Sequence, residues 1–167
     1  KIPSLFARNY ESDRLVRDEI VLGSEWVIAG EGVATRKWDG TACLILDGSF
    51  YKRYDAKRGR SVPPDFKPAQ EADPVTGHWP GWVKVGVGPE DQWHVQAHAR
   101  GFDAAGVPLS DGTFELVGPK VGGNPEHFAD HVLVRHEQRA IEDCPRDFKG
   151  LRNWLEQTKI EGVVWHH

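Results

Sequence analysis

The chain has 167 residues, a formal net charge of −4 at pH 7 and 39% hydrophobic residues, which suits one globular domain with a hydrophobic core. It has no apolar run long enough to span a membrane and no basic-then-apolar start like a signal peptide, which argues against a membrane or secreted protein. The two cysteines, Cys43 and Cys144, give neither a disulfide framework nor a zinc spacing, so a cytoplasmic location is expected.

The predicted elements begin with a lead-in over residues 1–24, in which apolar and charged residues alternate. Residues 26–55 are rich in β-branched residues and predict strands, with tight turns at Asp39-Gly40 and Asp47-Gly48. Cys43 lies within one of these strands and is expected to be a small core residue. The first third of the chain is therefore predicted to be largely β-structure.

A segment rich in Pro and Gly, residues 55–92, predicts a long loop. Its tryptophans, Trp79 and Trp82, are expected to anchor the loop to the fold, and stacking on bases of single-stranded RNA is the alternative. A helix is predicted over residues 146–158, where Leu151, Trp154 and Leu155 share one face. Strands are predicted near residues 93–99, 113–118, 131–135 and 160–165.

Lys37 lies two residues before an Asp-Gly pair, in the string Lys37-Trp38-Asp39-Gly40. A lysine amine can attack the α-phosphate of a nucleoside triphosphate and hold the nucleotide as a phosphoramidate. Because side chains alternate along a strand, Lys37 and Asp39 are expected to point to the same side, and Gly40 permits a turn and the close approach of a ligand. A surface hairpin ending in Asp-Gly is the purely structural alternative.

Two glutamates downstream, Glu115 and Glu161, each lie in an otherwise apolar strand-like run. An isolated glutamate in a buried strand is costly unless it is paired or bound to a metal. A salt bridge to a core arginine is the structural alternative for each of them. Their occurrence after the Lys37 string favours a functional role.

With these three strings in this order, the chain resembles the covalent nucleotidyltransferase superfamily of RNA ligases, DNA ligases and messenger-RNA capping enzymes. Residues 37–40 are similar to motif I, whose lysine is adenylated, residues 114–119 to motif III, and residues 161–164 to motif IV. Within the superfamily, the chain is similar to the 5′-to-3′ RNA ligase family that includes a vertebrate cytosolic member. The residues that carry this closer likeness are 51–55, 108–111, 122–125 and 160–166.

The resemblance implies an α+β fold with antiparallel β-sheets enclosing a nucleotide cleft, and one adenylyltransferase domain over residues 1–167. It implies an ATP-dependent RNA ligase that joins RNA 5′-phosphate and 3′-hydroxyl ends through a lysyl-AMP intermediate. The implied cofactors are ATP and Mg²⁺, with Mn²⁺ able to replace Mg²⁺. The implied partner is RNA, without a membrane or an obligate protein partner.

The resemblance also assigns roles to the matched residues. Arg53 contacts the bound nucleotide or the incoming 5′-phosphate, as a planar fork of donors can. Glu115 reaches the ribose hydroxyls or a metal-bound water, and Glu161 helps to hold the divalent metal. The implied nucleotide-binding set is Lys37, Asp39, Gly40, Arg53, Glu115 and Glu161, with Glu161 and Glu115 as the metal ligands.

A cluster of five cations lies within nine positions after motif I. Such a cluster suits a phosphate-binding patch, although the overall negative charge argues against a protein whose whole surface binds nucleic acid. A solvated basic hairpin is the alternative. The RNA-binding candidates besides Arg53 are Lys52, Lys57, Arg58 and Arg60.

The sequence departs from the superfamily pattern in two places. Motif V, a pair of lysines that binds the α-phosphate, does not occur before His167, so impaired adenylation is expected for the chain as it stands. Residues 131–136 occupy the strand that often carries an adenine-stacking aromatic residue, but they contain no Phe, Tyr or Trp. His136 either stacks instead or is an ordinary exposed histidine. Glu71 is either a further family position or a solvated loop acid.

Two other interpretations stay open. One is the same enzyme class with another substrate, either a DNA ligase or a GTP-dependent capping-type nucleotidyltransferase. The other is a non-catalytic nucleic-acid-binding module that keeps the motifs without turnover. The ATP-dependent RNA ligase is the interpretation that the motifs favour.

Overall fold

The computed structural model describes residues 2–74 and 76–167. Within them, the named strands pair antiparallel and a few short helices lie between the strands. The α+β class expected from the sequence is therefore confirmed. Among these residues no helix is both long and apolar enough to cross a membrane.

The elements follow in chain order. The strands are β1 (Phe6–Arg8), β2 (Val16–Ile20), β3 (Val33–Lys37), β4 (Thr41–Leu46), β5 (Ser49–Ala56), β6 (Lys67–Pro68), β7 (Trp79–Lys84), β8 (Gly112–Val117), β9 (Val132–Arg135) and β10 (Gly162–His166). The helices are α1 (Glu25–Ile28), α2 (Gln92–His98) and α3 (Phe148–Thr158), and a 3-10 turn (Pro89–Asp91) precedes α2.

The chain divides into two compact units, and the assignment of residues 1–167 to a single adenylyltransferase domain stays a prediction. The described part of the first unit consists of residues 2–38 and 137–167, and the second unit consists of residues 39–136. The first unit contains the pairs β1–β2 and β3–β10. The second contains a six-stranded sheet in the order β6-β7-β5-β4-β8-β9.

The core of the second unit lies on one face of its sheet, where α2 packs. Strand residues of β4, β5, β8 and β9 point to this face at every second position, as a half-buried sheet requires. Burial raises the pKa of the Cys43 thiol, and Cys43 is confirmed as a core residue. The buried cluster comprises Cys43, Ile45, Phe50, Ala97, Phe114, Leu116 and Leu133.

The first unit is held together around Arg146, which precedes α3. Its guanidinium donates hydrogen bonds to the carbonyl oxygens of Val27 at 2.8 Å and Gly32 at 3.0 Å, and also to Glu31. It stacks on the ring of Trp165 in β10, with 4.4 Å from Cζ to the ring centroid. Arg146 thus fixes carbonyl groups in the last turn of α1 and just after it to the strand that pairs with β3.

Arg146→Ala is expected to lower the free energy of unfolding by about 2 kcal/mol, because carbonyl groups lose a charged donor. Arg146→Lys is expected to restore only part of this loss, since an ammonium cannot reproduce the planar fork. Urea unfolding followed by circular dichroism measures both. The control is Arg152→Ala on α3, whose side chain is 69% exposed; equal midpoints for Arg146→Ala and Arg152→Ala contradict the assigned role.

The predicted strands 113–118, 131–135 and 160–165, the turn at Asp47-Gly48 and the helix over residues 146–158 are confirmed within a few positions. The predicted strand 93–99 is wrong, because these residues form α2, with Ala97 buried against the sheet. The hairpin alternative at Asp39-Gly40 is also wrong. Strands β3 and β4 belong to different sheets and do not pair with each other.

The segment 55–92 is not one continuous loop. Strand β7 pairs along its whole length with β5, from Trp79 opposite Ala56 to Lys84 opposite Tyr51. Trp79 does anchor the preceding residues, as expected, because its indole N–H donates to the Gln70 carbonyl at 2.9 Å. Strand β7 was not predicted from the sequence because Pro80 and Gly81 interrupt the pattern of strand-forming residues.

Candidate functional site

Lys37 and Glu161 meet in the first unit although they lie 124 residues apart in sequence. Lys37 ends β3 and Gly162 begins β10, and the antiparallel register places these two residues opposite each other. The Lys37 ammonium donates a hydrogen bond to the Glu161 carboxylate. Their side chains are 48% and 33% exposed, so the pair is open to a ligand.

The residue opposite Lys37 leaves space beside its aliphatic chain. Gly162 has no side chain, and a Cβ added there would lie 3.6 Å from Lys37 Cδ, which is ordinary contact. Any larger side chain at this position would cover the lysine stem. The β3–β10 register therefore brings the two motif residues together and keeps the lysine side chain uncovered.

The backbone that carries Lys37 is fixed by its neighbours in the first unit. Trp38 is 6% exposed, and the guanidinium carbons of Arg36 and Arg139 lie 4.4 Å and 5.5 Å from its ring centroid. Thr35 is buried, and its hydroxyl is hydrogen-bonded to His166 Nε2 at 2.9 Å. These cation–π and hydrogen-bond contacts stabilise the end of β3.

Gly40, in the second unit, is required by packing against β8. A Cβ at Gly40 would lie 2.2 Å from the Leu116 carbonyl oxygen and 2.9 Å from Glu115 Cγ. The sequence predicts that Gly40 allows a turn and the approach of a ligand. The structure adds a different reason, because no other residue fits so close to the strand that carries Glu115.

Gly40→Ala is therefore expected to destabilise the fold by about 1–2 kcal/mol, since β4 and β8 must move apart. Urea unfolding measures the loss. Gly162→Ala is the matched control, because its Cβ meets only Lys37 Cδ at 3.6 Å. If the urea midpoint of Gly40→Ala unfolding is not lower than that of Gly162→Ala, a glycine at position 40 is not required for packing against β8.

Asp39 is approached by the backbone that follows motif III. A Cβ at Gly122 would lie 3.1 Å from Asp39 Oδ1, and Gly122 has φ of +55°, which disfavours other residues. Residues 122–125 are among those that resemble the RNA ligase family. Their glycine allows this loop to lie directly against the motif I aspartate.

Glu115 lies on β8, and its partner is His136 rather than a core arginine. The distance from Glu115 Oε2 to His136 Nε2 is 3.0 Å, and the side chains are 14% and 32% exposed. The His136 backbone N–H donates to Thr113, which extends the β8–β9 ladder and puts His136 diagonally across from Glu115. The sequence predicted His136 only as a stacking residue or an exposed one, and no pattern in it indicated this contact.

The predicted basic cluster is divided between the two faces of the six-stranded sheet. Cys43 pairs with both Lys52 and Phe114, so Lys52 points to the core face. Alternation along β5 and β8 then puts Arg53 and Glu115 on the other face. The Arg53 guanidinium donates to Asp55 Oδ1 at 2.9 Å.

The Lys52 ammonium forms an ion pair with Asp91, which is 2% exposed. Burial alone would raise the pKa of Asp91, but the hydrogen bonds from Lys52 and from the Gly86 N–H at 2.7 Å hold it below its ordinary value. Burial lowers the pKa of the adjacent His94. Lys52 is thus engaged within the fold, and no sequence pattern indicated Asp91 as its partner.

The remaining candidate residues lie on the surface of the second unit. Lys57, Arg58 and Arg60 are exposed on the connection between β5 and β6, where their charges face solvent. Glu71 is exposed on the connection that leads to β7. Of the basic patch predicted from the sequence, these three cations are the ones that lie exposed on the connection between β5 and β6.

The carboxylates fit one kind of magnesium site. Across residues 2–74 and 76–167, no group of three or more His, Cys, Asp or Glu side chains could hold a metal ion. Magnesium in nucleotide sites usually takes one or two carboxylates and completes its shell with phosphate oxygens and water. Glu161, one-third exposed beside Lys37, has the hard oxygen donors for that role.

No protein-family model matches this chain, and no curated protein matches it. The resemblance to nucleotidyltransferases therefore depends on the motif strings, their order and the geometry described above. Of the residues it names, Lys37 and Glu161 are in contact within the first unit. Asp39, Gly40, Arg53 and Glu115 belong to the second unit.

Proposed function

We propose that this protein is an ATP-dependent RNA ligase that joins 5′-phosphate and 3′-hydroxyl ends through a lysyl-AMP intermediate. The observation that supports this most is the contact between Lys37 and Glu161 across the β3–β10 pair. A covalent nucleotidyltransferase needs an accessible amine and a carboxylate beside it that can hold a metal–nucleotide complex. The nucleotide cleft expected from the motifs belongs to the same proposal.

In the first step, Lys37 Nζ attacks the α-phosphorus of ATP. The N–P bond forms as the bond between the α-phosphorus and the bridging oxygen breaks, and pyrophosphate leaves in line. Before the attack Nζ has to lose a proton, and the Glu161 carboxylate is the acceptor in contact with it. Catalysis of this kind depends mainly on positioning and charge neutralisation.

Magnesium, when bound with the nucleotide, supplies positive charge that offsets the charge developing on the phosphates. By the resemblance, Glu161 would hold the ion with one carboxylate, and Glu115 would serve either as a second ligand or as a hydrogen-bond acceptor for the ribose hydroxyls. His136, at 3.0 Å from Glu115 Oε2, keeps that carboxylate oriented. Asp39 orients the lysine or the ribose, as the motif I resemblance implies.

In the second step, an oxygen of the RNA 5′-phosphate attacks the α-phosphorus, and Lys37 Nζ leaves with its bonding electrons. Arg53 contacts the incoming phosphate, because a guanidinium offers paired donors to phosphate oxygens. In the third step the 3′-hydroxyl of the other RNA end attacks the 5′-phosphate. A phosphodiester bond forms and AMP departs.

A joining assay tests the proposal and separates it from its alternatives. A 5′-phosphorylated RNA and a 3′-hydroxyl RNA are incubated with the protein, Mg²⁺ and either ATP or GTP, with matched DNA strands in parallel. ATP-dependent joining of RNA is expected. Joining of nicked DNA, or transfer of GMP to an RNA end, would favour the other nucleotidyltransferases, and RNA binding without a lysine adduct would favour the non-catalytic module.

A further inference from the structure

A row of cationic and aromatic side chains crosses three neighbouring strands in the second unit. Trp82 on β7 pairs with Arg53 on β5 and, on its other side, with Lys67 on β6. Residues directly opposite each other in an antiparallel pair project to the same face. Trp82 therefore lies between Arg53 and Lys67 in the sheet, on the face opposite to the one that carries Lys52.

Trp82 differs from Trp79, the other tryptophan of β7. Trp79 lies three positions earlier, contacts Phe66 edge-on at 5.0 Å and donates its N–H to Gln70. In the part of the chain that the structure describes, Trp82 has neither a hydrogen bond nor a ring contact from its indole. It is half-buried, so its surroundings hold the ring while part of it faces solvent.

The charge around Trp82 suits an anionic ligand. Lys67 is exposed, and its ammonium lies 5.3 Å from the ring centroid of Tyr51. Lys84, also exposed, pairs with Tyr51 on the same face. Asp55 accepts a hydrogen bond from Arg53 and offsets one of these charges. Asp65, also exposed, accepts a hydrogen bond from the Lys84 backbone N–H at 2.8 Å. Three cations and two carboxylates leave one net positive charge around the indole.

We propose that Trp82 stacks on the terminal base of a single-stranded RNA 5′ end, with Lys67 and Arg53 contacting its phosphates. Stacking on an aromatic ring combined with cations that follow the backbone is how single-stranded nucleic acid is bound without sequence preference. This inference rests on the proposed ligase function and specifies where its phosphorylated strand binds. Neither Trp82 nor Lys67 belongs to the motifs that suggested the enzyme.

The test is the affinity of a fluorescein-labelled, 5′-phosphorylated RNA 12-mer, measured by anisotropy without ATP. Trp82→Leu removes the ring but keeps an apolar side chain, and is expected to raise Kd about tenfold, a typical loss for one stacked base. Trp82→Phe is expected to restore most of the affinity. Thermal melts show whether both variants fold; folded Trp82→Leu that binds like the wild type overturns the inference.

The phosphate contact has its own signature. Lys67→Gln is expected to make the slope of log K against log salt concentration less steep by about 0.7, the value for one phosphate of a single strand. Lys149→Gln on α3 is the matched control, since it removes the same charge from an exposed position in the first unit. Equal slopes for the two variants contradict a phosphate contact at Lys67.

The two proposals can fail separately. Binding without ATP does not require lysine adenylation, whereas the mass of the ATP-treated protein reports adenylation alone. If the protein forms no adduct but its RNA affinity depends on Trp82, the ligase proposal is contradicted and RNA binding at Arg53, Trp82 and Lys67 is supported. A DNA 12-mer bound equally well, with the same dependence on Trp82, supports a single-strand platform that does not select RNA and overturns its assignment to RNA alone.

Discussion

Replacing Lys37 with alanine or arginine is expected to abolish covalent labelling of the protein by α-labelled ATP. Alanine has no amine, and the guanidinium of arginine does not deprotonate in proteins and so cannot act as the nucleophile. The fold is expected to persist, because the Lys37 side chain is 48% exposed and its ion pair with Glu161 lies at the surface. Loss of such a pair usually costs less than about 1 kcal/mol.

The protein is incubated with α-labelled ATP and Mg²⁺ and then denatured. The label that remains bound to it is measured before and after treatment with acid. A phosphoramidate is released by acid, which separates it from a phosphate ester. Lys149→Ala removes an exposed lysine of the same unit and is expected to retain the label. Full labelling of either Lys37 variant would show that another residue carries the nucleotide.

Lys52→Met is expected to lower the free energy of unfolding by about 3 kcal/mol, the largest loss of stability considered for this chain. Asp91 is 2% exposed, so removal of Lys52 leaves a buried carboxylate without its ammonium partner. This loss of stability is at the lower end of the range usual for breaking a buried ion pair, because the Lys52 side chain is 25% exposed. Urea unfolding at pH 7 measures it, with Lys57→Met as the exposed control.

The stability difference between wild type and Lys52→Met is expected to depend on pH. The pKa of Asp91 is lower in the folded protein than its ordinary value, so ionised Asp91 stabilises the fold above its unfolded pKa. That contribution is lost as the pH falls through the folded pKa. The difference between the two proteins is therefore expected to be full at pH 7 and smaller in acid, below about pH 4.

An unchanged difference down to the acid limit would contradict the role of Asp91. A Lys52→Met variant as stable as Lys57→Met at pH 7 would contradict the ion pair itself. The pair also bears on function, since an ammonium that neutralises a buried carboxylate is less available to an RNA phosphate. The assignment of Lys52 to RNA binding stays a prediction. The affinity of Lys57→Gln for RNA then tests the exposed cations without disturbing Asp91.

The sequence predicted most strands correctly because their β-branched runs alternate with turn residues. It failed at α2, where Trp93, His94, Val95 and Ala97 suit either a strand or a short helix. Packing of Ala97 against the sheet and the 3-10 turn before the helix decide the outcome. The seven residues of α2 alone contain no information about the sheet that Ala97 packs against or about the turn that precedes the helix.

The candidate site was predicted in part. The order of the motifs selected Lys37 and Glu161, but their contact depends on the pairing of β3 with β10, which joins distant parts of the chain. Local patterns do not set such a register. The separation of Arg53 from Lys52 follows from strand alternation, whereas the partner of Lys52, 39 residues away, could be found only in three dimensions.

Intact-protein mass spectrometry after incubation with ATP and Mg²⁺ tests lysine adenylation most directly. The measurement is made on the chain of 167 residues after a long incubation at saturating ATP, so that impaired adenylation still yields an adduct. A mass gain of one AMP that peptide mapping assigns to Lys37 is the expected result. Folded protein without any adduct would contradict the ligase and leave nucleic-acid binding as the leading interpretation.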